Sequence, residues 1–296
     1  MTILFRVDAS SEIGIGHIMR DFVLAKQFPN TKIFFATQEL KGNINHKIIE
    51  SGYEIVNLKT NDKNELLEVL KAQKIDLLVI DHYQIDHNYE RYIKEHFNVR
   101  ILSFDDTYEK HHCDILLNHN ISADKKRYKG LVPDNCELRC GTKYTLLREE
   151  FFKIRKRKKK RQKKKVIFLS MGGSDVYNYN FRILKLLKKF KNIEVTLATT
   201  TANKNLTKLI KFGVKNRWVH VHVNSDNIAN LMDQSDFAII TPSVTVNEVL
   251  HLKLPFIAFK VIENQDDMHQ YLKKKHYHVV DRVSYLEKPL RKLIYA

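Results

Sequence analysis

Short, unbroken apolar stretches alternate along this chain with stretches whose apolar residues recur every three or four positions. In the first half the β-like stretches are TILFRV (2–7), KIFFAT (32–37), YEIVNL (53–58), DLLVID (76–81), VRILSFD (99–105) and DILLN (114–118). Helical spacing between them predicts helices near 16–27, 62–73 and 86–97. The second half repeats the scheme with VIFLSM (166–171), IEVTLAT (193–199), WVHVHV (218–223), FAIIT (237–241) and PFIAFK (255–260). Here helices are predicted near 178–190, 203–212, 226–233, 244–252 and 265–275. Strands apolar on both faces, separated by amphipathic helices, predict an α/β fold with a parallel sheet covered on each side. The pattern occurs twice, so two Rossmann-like domains facing across a cleft are expected. The expected bounds are 1–152 and 166–296, joined by a basic linker over 153–165.

Ligands of open α/β sheets bind beyond the carboxyl ends of the strands. Candidate residues are therefore those that follow a strand. After the first strand, DASSEIGIGH (8–17) places Gly14, Ile15 and Gly16 in a strand-to-helix turn and His17 in the first turn of the helix. The N–H groups exposed there can hold a phosphate, and a histidine there can instead take a proton. The following residues, Ile18, Met19, Phe22, Val23 and Leu24, carry the spacing of a core-facing stripe. Asp81, His82 and Tyr83 end a second strand, and the pair Asp105–Asp106 ends a third.

In the second half, SMGGSD (170–175) offers Gly172 and Gly173 for close backbone approach, with Ser174 or Asp175 as a helix cap. PSVTVNEVL (242–250) offers Ser243 or Thr245 as a cap with Glu248 beyond. This is a simple capping box, or a pyrophosphate loop whose glutamate accepts from ribose hydroxyls. Asn264 and Gln265 precede a further helix.

Composition adds three constraints. The 296 residues are 43% hydrophobic, enough for a sizeable core, and no apolar run reaches membrane-spanning length. Arg6, Asp8 and Glu12 interrupt the apolar start, and only three cysteines are present, so a reduced, cytoplasmic protein is expected. The formal charge is +17, but KIRKRKKKRQKKK (153–165) holds 11 of the basic residues and the remainder carries only +6. That reads as a solvated connector rather than a basic face. Cys136 and Cys140, in a C-x3-C spacing on an extended segment, would splay their thiols and are a poor zinc pair.

The stretches RVDASSEIGIGH-IMRD, IDHYQID, SFDD, HHCDILLNHN, LLREEF, MGGSD and NEVLHLKLPFIAF…ENQ, in this order, resemble the UDP-2,4-diacetamido-2,4,6-trideoxy-β-L-altropyranose hydrolase family of pseudaminic acid biosynthesis. The resemblance runs from residue 3 to about residue 275. It implies a GT-B-type fold and transfer of a sugar from UDP to water; a single displacement by water would invert, and with no Asp-x-Asp pair to hold Mg²⁺ no metal or cofactor is expected. It also implies a UDP-sugar as the small-molecule partner, a monomer, and no membrane or nucleic-acid partner. Carried over by position, it makes His17 the general base and Gly14, Ile15 and Gly16 the loop around the sugar. Tyr83 and Arg148 become substrate contacts. Ile240, Ser243, Val244, Glu248 and Asn264 become UDP contacts, and the phosphate-cradle pattern of Gly172 and Gly173 is counted with them. Asp8 is the candidate to orient the His17 ring. Gln84 and the glycine-free TPSVT depart from the pattern. Two rival readings stand beside this one: a glycosyltransferase with an acceptor other than water, and a binder of RNA or anionic surfaces through 153–165.

Overall fold

The computed structural model describes residues 1–154 and 164–295. Most of the basic run therefore lies outside the described residues. The chain divides into two compact units, Met1–Leu146 and Leu147–Ala296. No helix among the described residues is long and apolar enough to cross a membrane.

The first unit is built on β1 (Thr2–Val7), β2 (Lys32–Gln38), β3 (Glu54–Leu58), β4 (Leu77–Asp81), β5 (Arg100–Phe104), β6 (Ile115–Asn118) and β7 (Glu137–Cys140). They form a parallel sheet in the order β3-β2-β1-β4-β5-β6-β7. Its helices are α1 (Gly16–Ala25), α2 (Asn45–Glu50), α3 (Lys63–Gln73) and α4 (His87–His96). The two-residue period of β1 sorts its side chains between two cores. Ile3, Phe5 and Val7 pack with Ile18, Phe22 and Leu24 of α1. Leu4 packs on the other face with Leu66 and Leu70 of α3 and Ile93 of α4. Phe5 lies level with Phe35 of β2 and Val79 of β4, and the two phenyl rings stack 4.9 Å apart. Burial on both faces is why these strands read as continuously apolar.

The second unit begins with α5 (Glu149–Lys153) and contains β8 (Lys165–Ser170), α6 (Tyr179–Leu187), β9 (Ile193–Thr199), α7 (Leu206–Lys215), β10 (Val219–Val223) and α8 (Ile228–Asp233). It continues through β11 (Phe237–Ile240), α9 (Thr245–His251), β12 (Phe256–Phe259), α10 (Asp266–Lys274), β13 (His278–Val280) and α11 (Glu287–Tyr295). Its parallel sheet runs β10-β9-β8-β11-β12-β13. Ile167, Leu169, Phe237, Ile239, Ile257 and Phe259 from its central strands share one core with Ile183 and Leu187 of α6 and Leu290 and Ile294 of α11.

Four elements go beyond the sequence expectation. Helix α2 buries only Ile48, too little to print a helical stripe. Strands β7 and β13 are short edge strands with one neighbour each, and their residues are half-buried or exposed. Helix α11 shows its apolar side only through Leu290 and Ile294.

The order of each sheet creates a switch point, β1/β4 in the first unit and β8/β11 in the second, where successive connections leave in opposite directions. Crevices at such points are the binding sites of open α/β sheets. Helix α3, which helps bury the first sheet, is capped by Asp62, whose side chain accepts from the Asn64 N–H at 2.8 Å. Asp62→Ala should lower stability by about 1 kcal/mol, read as a shifted urea midpoint with an unchanged slope.

Candidate active site

Helix α1 starts directly beyond β1. His17, Arg20 and Asp21 lie three and four residues apart, so they share one side of the helix. That side meets the carboxyl end of β4. His17 Nδ1–H donates to Asp81, 2.8 Å from Oδ1 and 3.2 Å from the backbone carbonyl. No protein partner is found for His17 Nε2 among the described residues. The ring is mostly covered, its side chain 12% exposed, and the Tyr83 ring meets it edge-on at 5.0 Å.

Asp81 is buried and also takes both ends of the Arg20 fork. Nε donates to Oδ2 at 2.6 Å, and the second N–H group donates to Oδ1. Burial alone would raise the Asp81 carboxyl, but Arg20 and His17 hold it far below the ordinary carboxylate range. Arg20 reaches three more groups. Its NH1 lies 3.3 Å from His119 Nε2 and 3.6 Å from Asp106, and its carbon sits 4.8 Å from the centre of the Phe104 ring. Burial and the neighbouring Arg20 charge push His119 down to about 3, so its neutral Nε2 accepts from Arg20. The Tyr83 hydroxyl donates to Asp106 at 3.1 Å.

Asp8 does not orient His17. Its carboxylate accepts from Arg6 at 2.8 Å, from His82 Nε2 at 3.0 Å and from the Gln38 N–H at 2.7 Å. Despite the opposing effect of burial, His82 and Arg6 hold it below the ordinary range. Asp81, the last residue of β4, takes the orienting role. It could have been found as the one charged residue closing an otherwise apolar strand. Arg20 and His119 also belong to this cluster and were not singled out from the sequence, whereas Asp106 joins it from the Asp105–Asp106 pair marked there.

The glycine turn before α1 has a plain backbone reason. Gly14 has φ +86° and returns its N–H to Ser10 O at 2.8 Å, a conformation that side chains resist. Ser10 Oγ accepts from the Glu12 and Ile13 N–H groups. A Cβ at Gly16 would meet nothing within 4 Å. Helix α1 has no side-chain cap, and Ile15 stands at its cap position.

In the second unit, Gly172 has φ +81°. A Cβ at Gly173 would sit 2.9 Å from Thr200 Cγ2, so the Thr200 side chain would have to shift to admit one. Its carbonyl accepts from Thr200 Oγ1 at 3.1 Å and Thr199 Oγ1 at 3.2 Å. Asp175 accepts from the Tyr179 and Asn180 N–H groups, and burial pushes its carboxyl up to about 6. After β11, neither Ser243 nor Thr245 caps α9. Val244 occupies the cap position with no side-chain bond, and Ser243 Oγ pairs with Thr241 Oγ1 at 3.0 Å. Ile240 is fully buried at the end of β11. Asn264 lies in a 3₁₀ turn, Glu263–Gln265.

Glu248, in the first turn of α9, is 8% exposed. Arg148 donates to its Oε1 from Nε at 3.2 Å and from a terminal nitrogen at 2.8 Å. Arg148 also pairs with Glu150 at 2.7 Å. Burial pushes the Glu248 carboxyl up and Arg148 opposes the shift. Arg148 thus serves a carboxylate of the second unit.

Asp105 accepts from Thr107, Glu109 and Tyr128. Cys136 Sγ lies 3.7 Å from Cys113 Sγ rather than beside Cys140. No group of three or more His, Cys, Asp or Glu with metal-holding placement occurs among the described residues.

No protein-family model matches the sequence. MurG of Acinetobacter baumannii aligns over 99% of this chain and 92% of its own with TM-score 0.62 and 11% identity. UGT89C1 of Arabidopsis thaliana, solved with UDP-L-rhamnose, aligns over 98% and 88% with TM-score 0.64 and 7% identity. These likenesses show the fold, which is of the GT-B type. The UDP-2,4-diacetamido-2,4,6-trideoxy-β-L-altropyranose hydrolase of Campylobacter jejuni is 44% identical over 279 residues, covering 94% of this chain and 98% of that protein. With that identity over nearly the whole of both chains, this chain belongs to the UDP-2,4-diacetamido-2,4,6-trideoxy-β-L-altropyranose hydrolase family.

Proposed function

We propose that the chain hydrolyses UDP-2,4-diacetamido-2,4,6-trideoxy-β-L-altropyranose to UDP and the free sugar, with His17 as general base. The observation that carries this reading is the His17–Asp81 contact at 2.8 Å. It places the proton on Nδ1, turns the ring, and leaves Nε2 as an acceptor. This is the arrangement of a base held by a third group. A water on the face of the sugar opposite the diphosphate gives its proton to Nε2 as its oxygen bonds to the anomeric carbon. The C1–O bond breaks and its electron pair leaves with UDP. A single displacement of this kind inverts C1.

The nucleotide is assigned to the second unit. Glu248 receives the ribose hydroxyls on the oxygen that Arg148 leaves uncommitted. Gly172, Gly173, Ser243 and Val244 offer backbone N–H groups to the diphosphate, where developing negative charge is best met by fixed donors. Ile240 and Asn264 complete the UDP contacts through their loops. Tyr83, Gly14, Ile15 and Gly16 are assigned to the sugar, and Arg148 acts through Glu248. In this reading the enzyme is a cytoplasmic monomer with water as acceptor.

Hydrolysis in ¹⁸O-water should place the label on the sugar, leave UDP unlabelled and give the inverted anomer first, as read by mass spectrometry and NMR. Label in the nucleotide would mean attack at phosphorus and end the general-base role at C1. His17→Asn should lower kcat by about 10²–10⁴ and leave UDP affinity unchanged in titration calorimetry. Glu248→Ala should do the opposite. It should weaken UDP by about 1–3 kcal/mol by leaving the ribose hydroxyls unpaired, and unchanged affinity would remove Glu248 from the ribose.

A further inference from the structure

Asp21 has no part in the chemistry described so far, yet it lies one helical turn after His17 on the same side of α1. Its side chain is wholly buried. Neither of its oxygens meets a donor among the described residues. What it does meet is another acceptor, the Asp81 carboxylate, within hydrogen-bond reach. Two carboxyl groups in such contact can bond only through a proton held between them.

The surrounding charges decide which of the two keeps that proton. Asp81 takes the Arg20 fork and the His17 N–H, interactions that favour its anion. Asp21 takes none of these. The other titratable groups packed around the pair are His119 and Asp106, both reached by Arg20, and Tyr83, which is held on Asp106. His119 is neutral, and Asp106 lies 3.6 Å from Arg20 with its side chain partly exposed. One buried guanidinium therefore balances one buried carboxylate, and no cation remains for Asp21. Burial and the Asp81 charge accordingly raise the Asp21 carboxyl well above the ordinary range, and Arg20 offsets only part of that.

We propose that Asp21 is a positioning residue, a neutral carboxylic acid whose O–H donates to Asp81 and fixes the carboxylate that orients His17. The proposal rests on the general-base reading of His17. It adds a reason for an acid rather than an anion at position 21. A second buried negative charge beside His17 would favour the imidazolium, which cannot accept a proton from water. A neutral donor holds Asp81 in place without adding that charge.

Two measurements on the full-length enzyme test this. The first is isotope-edited infrared spectroscopy with labelled aspartate. A carboxylic-acid C=O band should be present at neutral pH and vanish in Asp21→Asn. The second is steady-state kinetics over a pH range. Asp21→Ala should lower kcat by about 10²-fold through a displaced base, with KM unchanged and the acid limb of the kcat profile moved. Asp21→Asn, which keeps an N–H donor of nearly the same shape, should restore most of that loss. The absence of the band, or an Asp21→Asn variant as impaired as Asp21→Ala, overturns the proposal. The infrared result stands apart from the kinetics. If His17→Asn keeps its turnover while the band is present, the general-base reading has failed and the proton on Asp21 has not.

Discussion

The buried pair of Arg20 and Asp81 is the constraint on which the first unit's site depends. Taking two ions out of water costs several kcal/mol each, and their attraction recovers this only when the geometry is good and the remaining hydrogen-bond sites are filled. Here they are filled. Arg20 meets Asp81 with two N–H groups, His119 and Asp106 with a third, and Phe104 with the face of its plane. Asp81 uses the capacity left over to hold His17. Removing either ion would strand the other in a dry setting. The arrangement is thus better suited to fixing one geometry than to adding stability, and the fixed geometry is that of an imidazole with one nitrogen occupied and one open.

The second unit meets a different demand at the equivalent place in its sheet. The loop after β8 turns on Gly172 and Gly173 and is tied to α6 by Asp175, which accepts from the Tyr179 and Asn180 N–H groups. Gly172 takes a left-handed conformation, and Gly173 lets Thr200 close against it. Beyond β11 the one buried acid among the described residues is Glu248, bound by Arg148 from the segment that opens the unit. Two sheets of like strand order therefore carry different groups beyond their central strands, the His17–Asp81 pair in the first and Gly172, Gly173 and the Arg148–Glu248 pair in the second.

The separation of roles follows from how little each element has to change. An α/β unit needs its strands apolar and its helices striped only where they touch the core. The residues just past the carboxyl ends of the strands are free of that duty. Substituting them alters the ligand without disturbing the sheet. His17, Asp106 and His119 occupy such positions, as do Gly173, Ser243 and Glu248, while Asp81 is the last residue of β4 itself.

The sequence by itself determined the α/β class, the repetition of the unit and the strand ends at which chemistry would appear, because burial on both faces writes an unbroken apolar run for every central strand. It also marked His17 and Glu248, since each follows a strand within the first turn of a helix. The short edge strands β7 and β13 and the helix α2 left little trace, because a half-buried element need not be apolar. The partners of His17 and Glu248 were decided by the tertiary structure alone. Asp8 stands nine residues before His17 and was the natural candidate to orient it, but Asp81, 64 residues away, does so. Arg148 reaches across 100 residues to Glu248. Sheet order, not chain order, brings β1 beside β4. A hydrogen bond a few ångströms long depends on that adjacency, which no local pattern of side chains records.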